Sequence, residues 1–116
     1  MRVAALYDIH GMLVPLEAVL EEVDGEAEIV VGGDVASGPQ PSEALELLRA
    51  LGDRVHWVRG NGDREVATGG AGDLSAAVQR SVRWTSERLT DEQRRFLGSL
   101  PETVVLDVDG LGEVCF

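Results

Sequence analysis

The sequence contains little cysteine and few basic residues, and both scarcities exclude classes of function. Its one cysteine, Cys115, excludes an intrachain disulfide and suits a reducing compartment, so we expect a cytoplasmic protein. Ten Lys and Arg residues stand against 21 Asp and Glu residues, for a net charge of -11. This charge disfavours non-specific binding to nucleic acid and to anionic membranes. The apolar run at residues 3–7 is too short for a signal peptide or a membrane span.

The first half of the chain alternates between strand and helix patterns. With 116 residues, 44% hydrophobic and 27% charged, the chain is typical of one soluble globular domain. Short apolar runs predict strands at residues 3–7, 28–31 and 54–58, and helical spacing predicts helices at 15–23 and 41–51 between them. This order is typical of βαβ units in a parallel sheet.

The second half reads as helices followed by a β-hairpin. A glycine-rich loop at residues 68–72 precedes a helix that we expect Asp73 to cap. Thr90 and Gln93 have the spacing of a capping box for a further helix. Two strand patterns then flank Asp109-Gly110, which is a hairpin signal. The predicted fold class is therefore α/β, with a βαβαβ parallel sheet followed by helices and a β-hairpin.

A polar cluster follows each of the three predicted strands. Asp8 and His10 follow the first, Asp34 follows the second, and Asn61 follows the third. In open α/β sheets, sites form beyond the carboxyl ends of the strands, so we expect these side chains to converge. Carboxylate, imidazole and amide ligands suit Mn, Fe, Zn or Ni better than Ca. Each cluster alone is typical of an ordinary turn, and the three together favour a metal site.

These clusters resemble the first three motifs of the calcineurin-like metallophosphoesterases, and in particular the small bacterial phosphodiesterases. The matching motifs are Asp8-x-His10, Gly33-Asp34 and Gly60-Asn61-x-Asp63. The resemblance is best over residues 1–65, and it implies a four-layer fold with two sheets packed between helices. It also implies that Asp8 and His10 bind one metal ion. Asp34 would then bridge this ion to a second ion, which Asn61 would bind.

The function implied by the resemblance is hydrolysis of a small phosphoester, by a phosphodiesterase or a phosphatase that uses two divalent metal ions. The sequence departs from the family at Gly62, where a histidine usually stands near the leaving group. The family's later histidine motifs are also missing, and the chain stops at Phe116 inside a strand-like run. We therefore expect residues 1–116 to be the N-terminal part of a single domain, with an incomplete metal site.

Two alternatives lead to other functions. The chain can be a catalytically inactive fragment or a regulatory metal-binding domain. A phosphotransferase with Asp8 as its nucleophile is less well supported, because that chemistry usually needs a second Asp where His10 stands.

The remaining candidate residues have mostly structural interpretations. Arg59 either contacts the substrate phosphate or pairs with an acid such as Asp63. We expect His56 to be packed within its strand, and Cys115 to be a buried apolar residue. Both tryptophans are expected in the core or at an interface.

We also expect the chain to self-associate, most simply as a homodimer. The predicted hairpin offers strand edges that invite pairing. With only a hairpin for a second sheet, the inner face of the parallel sheet, including Val30 and Val31, should be poorly covered.

Overall fold

The computed structural model describes residues 1–70 and 72–116, and it places two small sheets among helices. The first sheet is parallel and has the strand order β1-β2-β3, and the second is an antiparallel pair of β4 and β5. The strands are β1 Val3–Leu6, β2 Glu28–Val31, β3 Val55–Trp57, β4 Val105–Val108 and β5 Gly112–Cys115.

The helices connect the strands as predicted for βαβ units. They are α1 Leu13–Glu22, α2 Pro41–Arg49, α3 Asn61–Ala67, α4 Ala76–Glu87 and α5 Asp91–Ser99, with a short 3-10 turn at Gly52–Arg54. The predicted α/β class, with a parallel βαβαβ sheet followed by helices and a hairpin, is confirmed.

The central strand β2 is buried on both faces. Because side chains alternate along a strand, Ile29 and Val31 pack into the helical core, whereas Val30 packs with Leu106 of the hairpin. Val30 and Val31 have no exposed surface, so the expectation of a poorly covered inner face is wrong. The two-stranded hairpin and the helices suffice to cover both faces of the parallel sheet. Each fully buried aliphatic side chain contributes about 1.5–3 kcal/mol to the free energy of folding.

Capping side chains determine where helices α4 and α5 begin. The predicted capping box at α5 is confirmed, since Gln93 N–H donates to Thr90 Oγ1 at 3.1 Å and Thr90 N–H donates to Gln93 Oε1 at 2.9 Å. The cap expected at Asp73 is wrong. Helix α4 instead begins after Ser75, whose Oγ accepts the Val78 N–H at 3.3 Å.

Helix α3 is not predicted by the sequence, which reads as a turn there. Glycines at 60 and 62 have low helix propensity. Asp63 offsets the free-energy cost of these glycines, because its carboxylate accepts the Gly60 N–H at 2.9 Å at the start of the helix. The predicted glycine-rich loop at residues 68–72 includes residue 71, which lies outside the described residues.

Several single-residue expectations have mixed outcomes. Trp57 packs edge-on against Phe96 with ring centroids 5.1 Å apart, as expected for a core residue. Trp84 is exposed, and the Arg88 guanidinium stacks on its ring. Cys115 is exposed rather than buried, because it lies on the outer face of β5.

The N-terminus fastens the hairpin to the parallel sheet. The amino group of Met1 donates to Asp109 Oδ1 at 2.5 Å, and the Asp109 N–H donates to the Met1 carbonyl at 2.9 Å. These bonds join the start of β1 to the hairpin turn. None of the helices in the described ranges is both long enough and apolar enough to cross a bilayer.

Candidate metal centre

Three of the predicted ligands lie together beyond the carboxyl ends of β1 and β2. Asp8, His10 and Asp34 each offer one ligand atom, and these atoms lie within 4.8 Å of one another. The parallel pairing of β1 with β2 brings the two following loops side by side. The donor set of two carboxylates and one imidazole fits a divalent transition metal.

The same three residues adopt left-handed backbone conformations. Their φ angles are 54° for Asp8, 48° for His10 and 54° for Asp34, and no other non-glycine residue in the described ranges has a positive φ. Such conformations typically cost about 1–3 kcal/mol each and concentrate at functional sites. Hydrogen bonds between the loops after β1 and β2 hold these backbone conformations. For example, the His10 N–H donates to the Asp34 carbonyl at 2.9 Å.

A backbone carbonyl orients the His10 ring. The Nδ1 atom of His10 lies 3.0 Å from the Ser37 carbonyl oxygen. Because a carbonyl can only accept a hydrogen bond, Nδ1 is the donor in this bond, and Nε2 is the ring nitrogen that remains available to a metal ion. Nε2 lies 3.3 Å from Asp8 Oδ1, on the side where a shared metal ion would bind. Metal-binding histidines are typically fixed by such a bond from the other ring nitrogen.

The buried carboxylate of Asp63 joins the loops after β2 and β3. Its Oδ2 accepts the N–H groups of Asp34 and Gly60, both at 2.9 Å, and its Oδ1 accepts the Val35 N–H at 3.0 Å. Burial raises the pKa of the Asp63 carboxyl, and the bonds from the three N–H groups oppose this shift. Asp63 therefore positions Asp34 without facing the cavity itself.

The fourth predicted ligand, Asn61, lies outside the three-residue cluster but lines a cavity with two of its members. It is the first residue of α3 and lines a cavity of about 250 Å³ together with His10 and Asp34. The Gly62 N–H donates to Asp34 Oδ1 at 2.9 Å, which fixes the start of α3 against the loop that carries Asp34. Asp8 lies at the edge of the cluster, with its side chain 70% exposed.

Arg59 does not line this cavity within the described residues. Its guanidinium donates to Glu102 Oε1 at 2.8 Å and to the Gly98 carbonyl at 3.2 Å. The acid that pairs with Arg59 is therefore Glu102 rather than Asp63. A phosphate contact for Arg59 stays a prediction.

Position 62 leaves little room for a side chain. A Cβ atom there would lie 2.7 Å from Asp34 Oδ1 and 2.9 Å from Ser37 Oγ, both closer than ordinary contact. Restoring the family histidine at this position would therefore require the ends of the Asp34 and Ser37 side chains to shift.

We expect Gly62→Ala to weaken metal binding by displacing Asp34. Calorimetric titration with Mn²⁺ should show a loss of affinity of about 10–100-fold, the range typical for lost partners of metal ligands. Gly25→Ala is a matched control, since a Cβ at Gly25 would meet nothing within 4 Å. Equal Mn²⁺ affinities for the two variants would contradict this account of Gly62.

Sequence reasoning missed the contributions of Asp63 and Ser37 to this centre. Asp63 stands in the third motif, yet its bonds to Asp34 and Val35 span 29 and 28 residues of sequence. The Ser37 carbonyl, 27 residues from His10, gives no side-chain signal at all. Only the folded positions of the loops identify these partners.

Comparison with known protein families gives a match over nearly the whole chain. The sequence model of the calcineurin-like phosphoesterase superfamily domain matches residues 1–114. An uncharacterized protein of Methanocaldococcus jannaschii is 31% identical over 112 residues, which cover 93% of this chain and 45% of the relative. A symmetrical bis(5'-nucleosyl)-tetraphosphatase of Thioalkalivibrio sulfidiphilus is 42% identical over 67 residues, covering 54% of this chain and 25% of that enzyme.

Solved structures show the same architecture. A metallophosphoesterase from Sphaerobacter thermophilus superposes with a TM-score of 0.72 at 36% identity, covering 91% of this chain and 43% of its own. A hypothetical protein from Pyrococcus horikoshii gives a TM-score of 0.80 at 27% identity, covering 97% of this chain and 52% of its own. The chain spans less than half the length of the Methanocaldococcus jannaschii protein and of the Thioalkalivibrio sulfidiphilus tetraphosphatase.

Proposed function

Because the chain belongs to the calcineurin-like phosphoesterase superfamily, we propose that it takes part in metal-dependent phosphoester hydrolysis, as a phosphodiesterase or a phosphatase, at a dinuclear centre. The observation that carries this proposal is the convergence of Asp8, His10 and Asp34, whose ligand atoms lie within 4.8 Å of one another. The imidazole of His10 is already oriented for binding by the Ser37 carbonyl.

For this centre we propose two divalent ions such as Mn, Fe, Ni or Zn, and the Asp8, His10 and Asp34 group supports the first of them. Asp8 and His10 would hold one ion. Asp34 is the only carboxylate that lies both in the cluster and in the described lining of the cavity, which supports our proposal that it bridges to a second ion held by Asn61. Its Oδ1 accepts the Gly62 N–H, which sets the direction of the carboxylate.

When bound, such ions supply Lewis-acid chemistry that polarises the phosphoester and promotes attack by water. The chain's own residues orient this centre. The Asp63 carboxylate accepts the Asp34 N–H and so positions the Asp34 loop. The Ser37 carbonyl orients the His10 ring. With glycine at position 62, the leaving group takes its proton from water or from another group, which favours substrates with good leaving groups.

We propose that residues 1–116 form the N-terminal part of a longer phosphoesterase domain. The coverage of the relatives supports this proposal, since the matched region is 43–52% of the two solved chains. Further metal ligands would then come from the rest of the domain. A small phosphoester as the substrate and a cytoplasmic location belong to the same proposal.

The function is tested with bis(p-nitrophenyl) phosphate and Mn²⁺. We expect the isolated chain to bind Mn²⁺ weakly in calorimetry, because its metal site is incomplete. Restoring the downstream segment should tighten Mn²⁺ binding and make metal-dependent hydrolysis of this activated diester appear. His10→Ala should abolish the metal-dependent rate, while His56→Ala, which removes a half-buried strand histidine paired with Glu28, should leave it intact. Metal binding without turnover would favour the alternative of an inactive or regulatory metal-binding domain.

We also propose a homodimer formed through the hairpin. The hairpin exposes Val105 and Leu111, and each of its strands has one edge without a partner in the described sheets. Sedimentation velocity over a dilution series should show a concentration-dependent dimer. A monomer that persists at high micromolar concentration would disprove this proposal.

A further inference from the structure

Glu65 lines the cavity without a structural partner. It lies one helical turn after Asn61 on α3, so both residues share a face, and it lines the cavity that holds His10 and Asp34. The bonds at Glu65, from Thr68 and Gly70, end on its backbone carbonyl. In the described part of the chain, its half-buried carboxylate has no hydrogen bond or ion pair to another residue.

Glu65 also lies outside the predicted ligand cluster. It does not belong to the group of His, Asp, Glu and Cys side chains whose ligand atoms come within 4.8 Å of one another. The structure therefore gives this carboxylate no role as a ligand of that cluster. Its charge faces the remainder of the cavity.

Within the described residues, the cavity wall around Glu65 contains no Lys or Arg. Apart from the predicted ligands, the wall consists of the hydroxyls of Ser37 and Ser81, the apolar surface of Val78 and Val82, and Gly62. The arginine of the third motif, Arg59, is paired with Glu102. A second anionic group of a substrate would meet the Glu65 carboxylate, and no Lys or Arg of the described cavity wall would offset its charge.

We propose that Glu65 determines substrate specificity by excluding a leaving group that carries its own negative charge. The favoured class is a phosphodiester whose leaving group is an uncharged alcohol, with hydroxyls that donate to Glu65 and aliphatic surface that packs on Val78 and Val82. Phosphoanhydride chains are disfavoured, because like charges at close range in a partly desolvated cavity repel. The inference rests on the proposed function, since it assumes that the phosphate binds at the metal centre.

The proposed substrate specificity would differ from that of some relatives of this chain. The tetraphosphatases that it matches are named for bis(5'-nucleosyl) tetraphosphates, which carry several adjacent phosphates. A leaving group with hydroxyls can donate hydrogen bonds to the Glu65 carboxylate, whereas a leaving group with adjacent phosphates would be repelled by it. A carboxylate is an acceptor for such hydroxyls, and a serine hydroxyl both donates and accepts.

The test compares two non-hydrolysable probes in the presence of Mn²⁺. Methylphosphonate carries one anionic group, and methylenediphosphonate carries a second beside it. Calorimetry gives the affinity of each probe for the wild-type chain, for Glu65→Gln, and for Glu87→Gln as a matched control. Glu87 is exposed on α4 and does not line the cavity, so its substitution changes the net charge equally.

We expect Glu65→Gln to tighten methylenediphosphonate binding by about three- to tenfold, as removal of a nearby like charge allows. Methylphosphonate affinity should change less than about twofold by the same reasoning, and Glu87→Gln should change neither. Equal effects of Glu65→Gln and Glu87→Gln would overturn the role of Glu65 alone. A loss of Mn²⁺ affinity in Glu65→Gln would also overturn it, by making Glu65 a ligand. Absence of Mn²⁺-dependent methylphosphonate binding to the wild type would instead refute the proposed function.

Discussion

Asp63→Asn is expected to lower the free energy of unfolding by about 1–3 kcal/mol, the cost of leaving a buried hydrogen-bonding group unsatisfied. The wild-type carboxylate accepts three backbone N–H groups with its two oxygens, and it is 1% exposed. An amide has one acceptor oxygen, and its NH₂ group would face a backbone N–H donor. Asp63→Ala should cost more, because all three N–H groups then lose their partner.

Urea denaturation followed by Trp fluorescence measures this effect. Trp57 packs in the core, so its emission reports unfolding of the parallel sheet. Asp107→Asn is the matched control, since Asp107 is exposed on β4 and its side chain makes no bond in the described structure. If Asp63→Asn unfolds at the same urea concentration as Asp107→Asn, Asp63 does not fasten the two loops.

Asp34→Asn is expected to abolish metal-dependent turnover in any active form of the protein. In the proposed centre, Asp34 bridges two ions, and a neutral amide cannot offset two divalent charges as a carboxylate does. The Mn²⁺ affinity of the chain should fall at least about 100-fold, the upper end of what losing a ligand's hydrogen-bond partner typically costs. The Gly62 N–H can still donate to the amide oxygen, so the fold should persist.

The matched control for this variant is Asp53→Asn. Asp53 lies on the exposed 3-10 turn between α2 and β3, away from the described cavity, and its substitution changes the net charge equally. Circular dichroism would confirm that both variants are folded. Mn²⁺ affinity in Asp34→Asn within twofold of the control would show that Asp34 binds no metal.

The sequence predicts the frame of this fold because its local signals agree with the tertiary structure. Each strand of the parallel sheet is a short apolar run that ends at a polar or glycine residue, and the helices between the strands have clear apolar faces. Helix α3 is missed because two glycines hide it, and its stability depends on Asp63, which bonds to a distant loop. The exposure of Cys115 is missed because one face of a two-stranded hairpin remains in solvent, where an apolar side chain is tolerated.

The candidate centre is predictable in its residue types and not in its geometry. The motifs place Asp8, His10 and Asp34 after neighbouring strands, and strand pairing alone then brings them close. Their positive φ angles, the proton on His10 Nδ1 and the closed space at Gly62 depend on contacts between loops. Such contacts join residues 27–29 positions apart, and no local pattern encodes them.

Anomalous diffraction from crystals grown with Mn²⁺ tests the central claim most directly. We predict an anomalous peak at bonding distance from His10 Nε2 and from carboxylate oxygens of Asp8 and Asp34. A second peak, weaker where ligands are missing, is expected between Asp34 and Asn61. An anomalous map without a peak at His10 and Asp34, under Mn²⁺ concentrations at which calorimetry shows binding, would contradict the account.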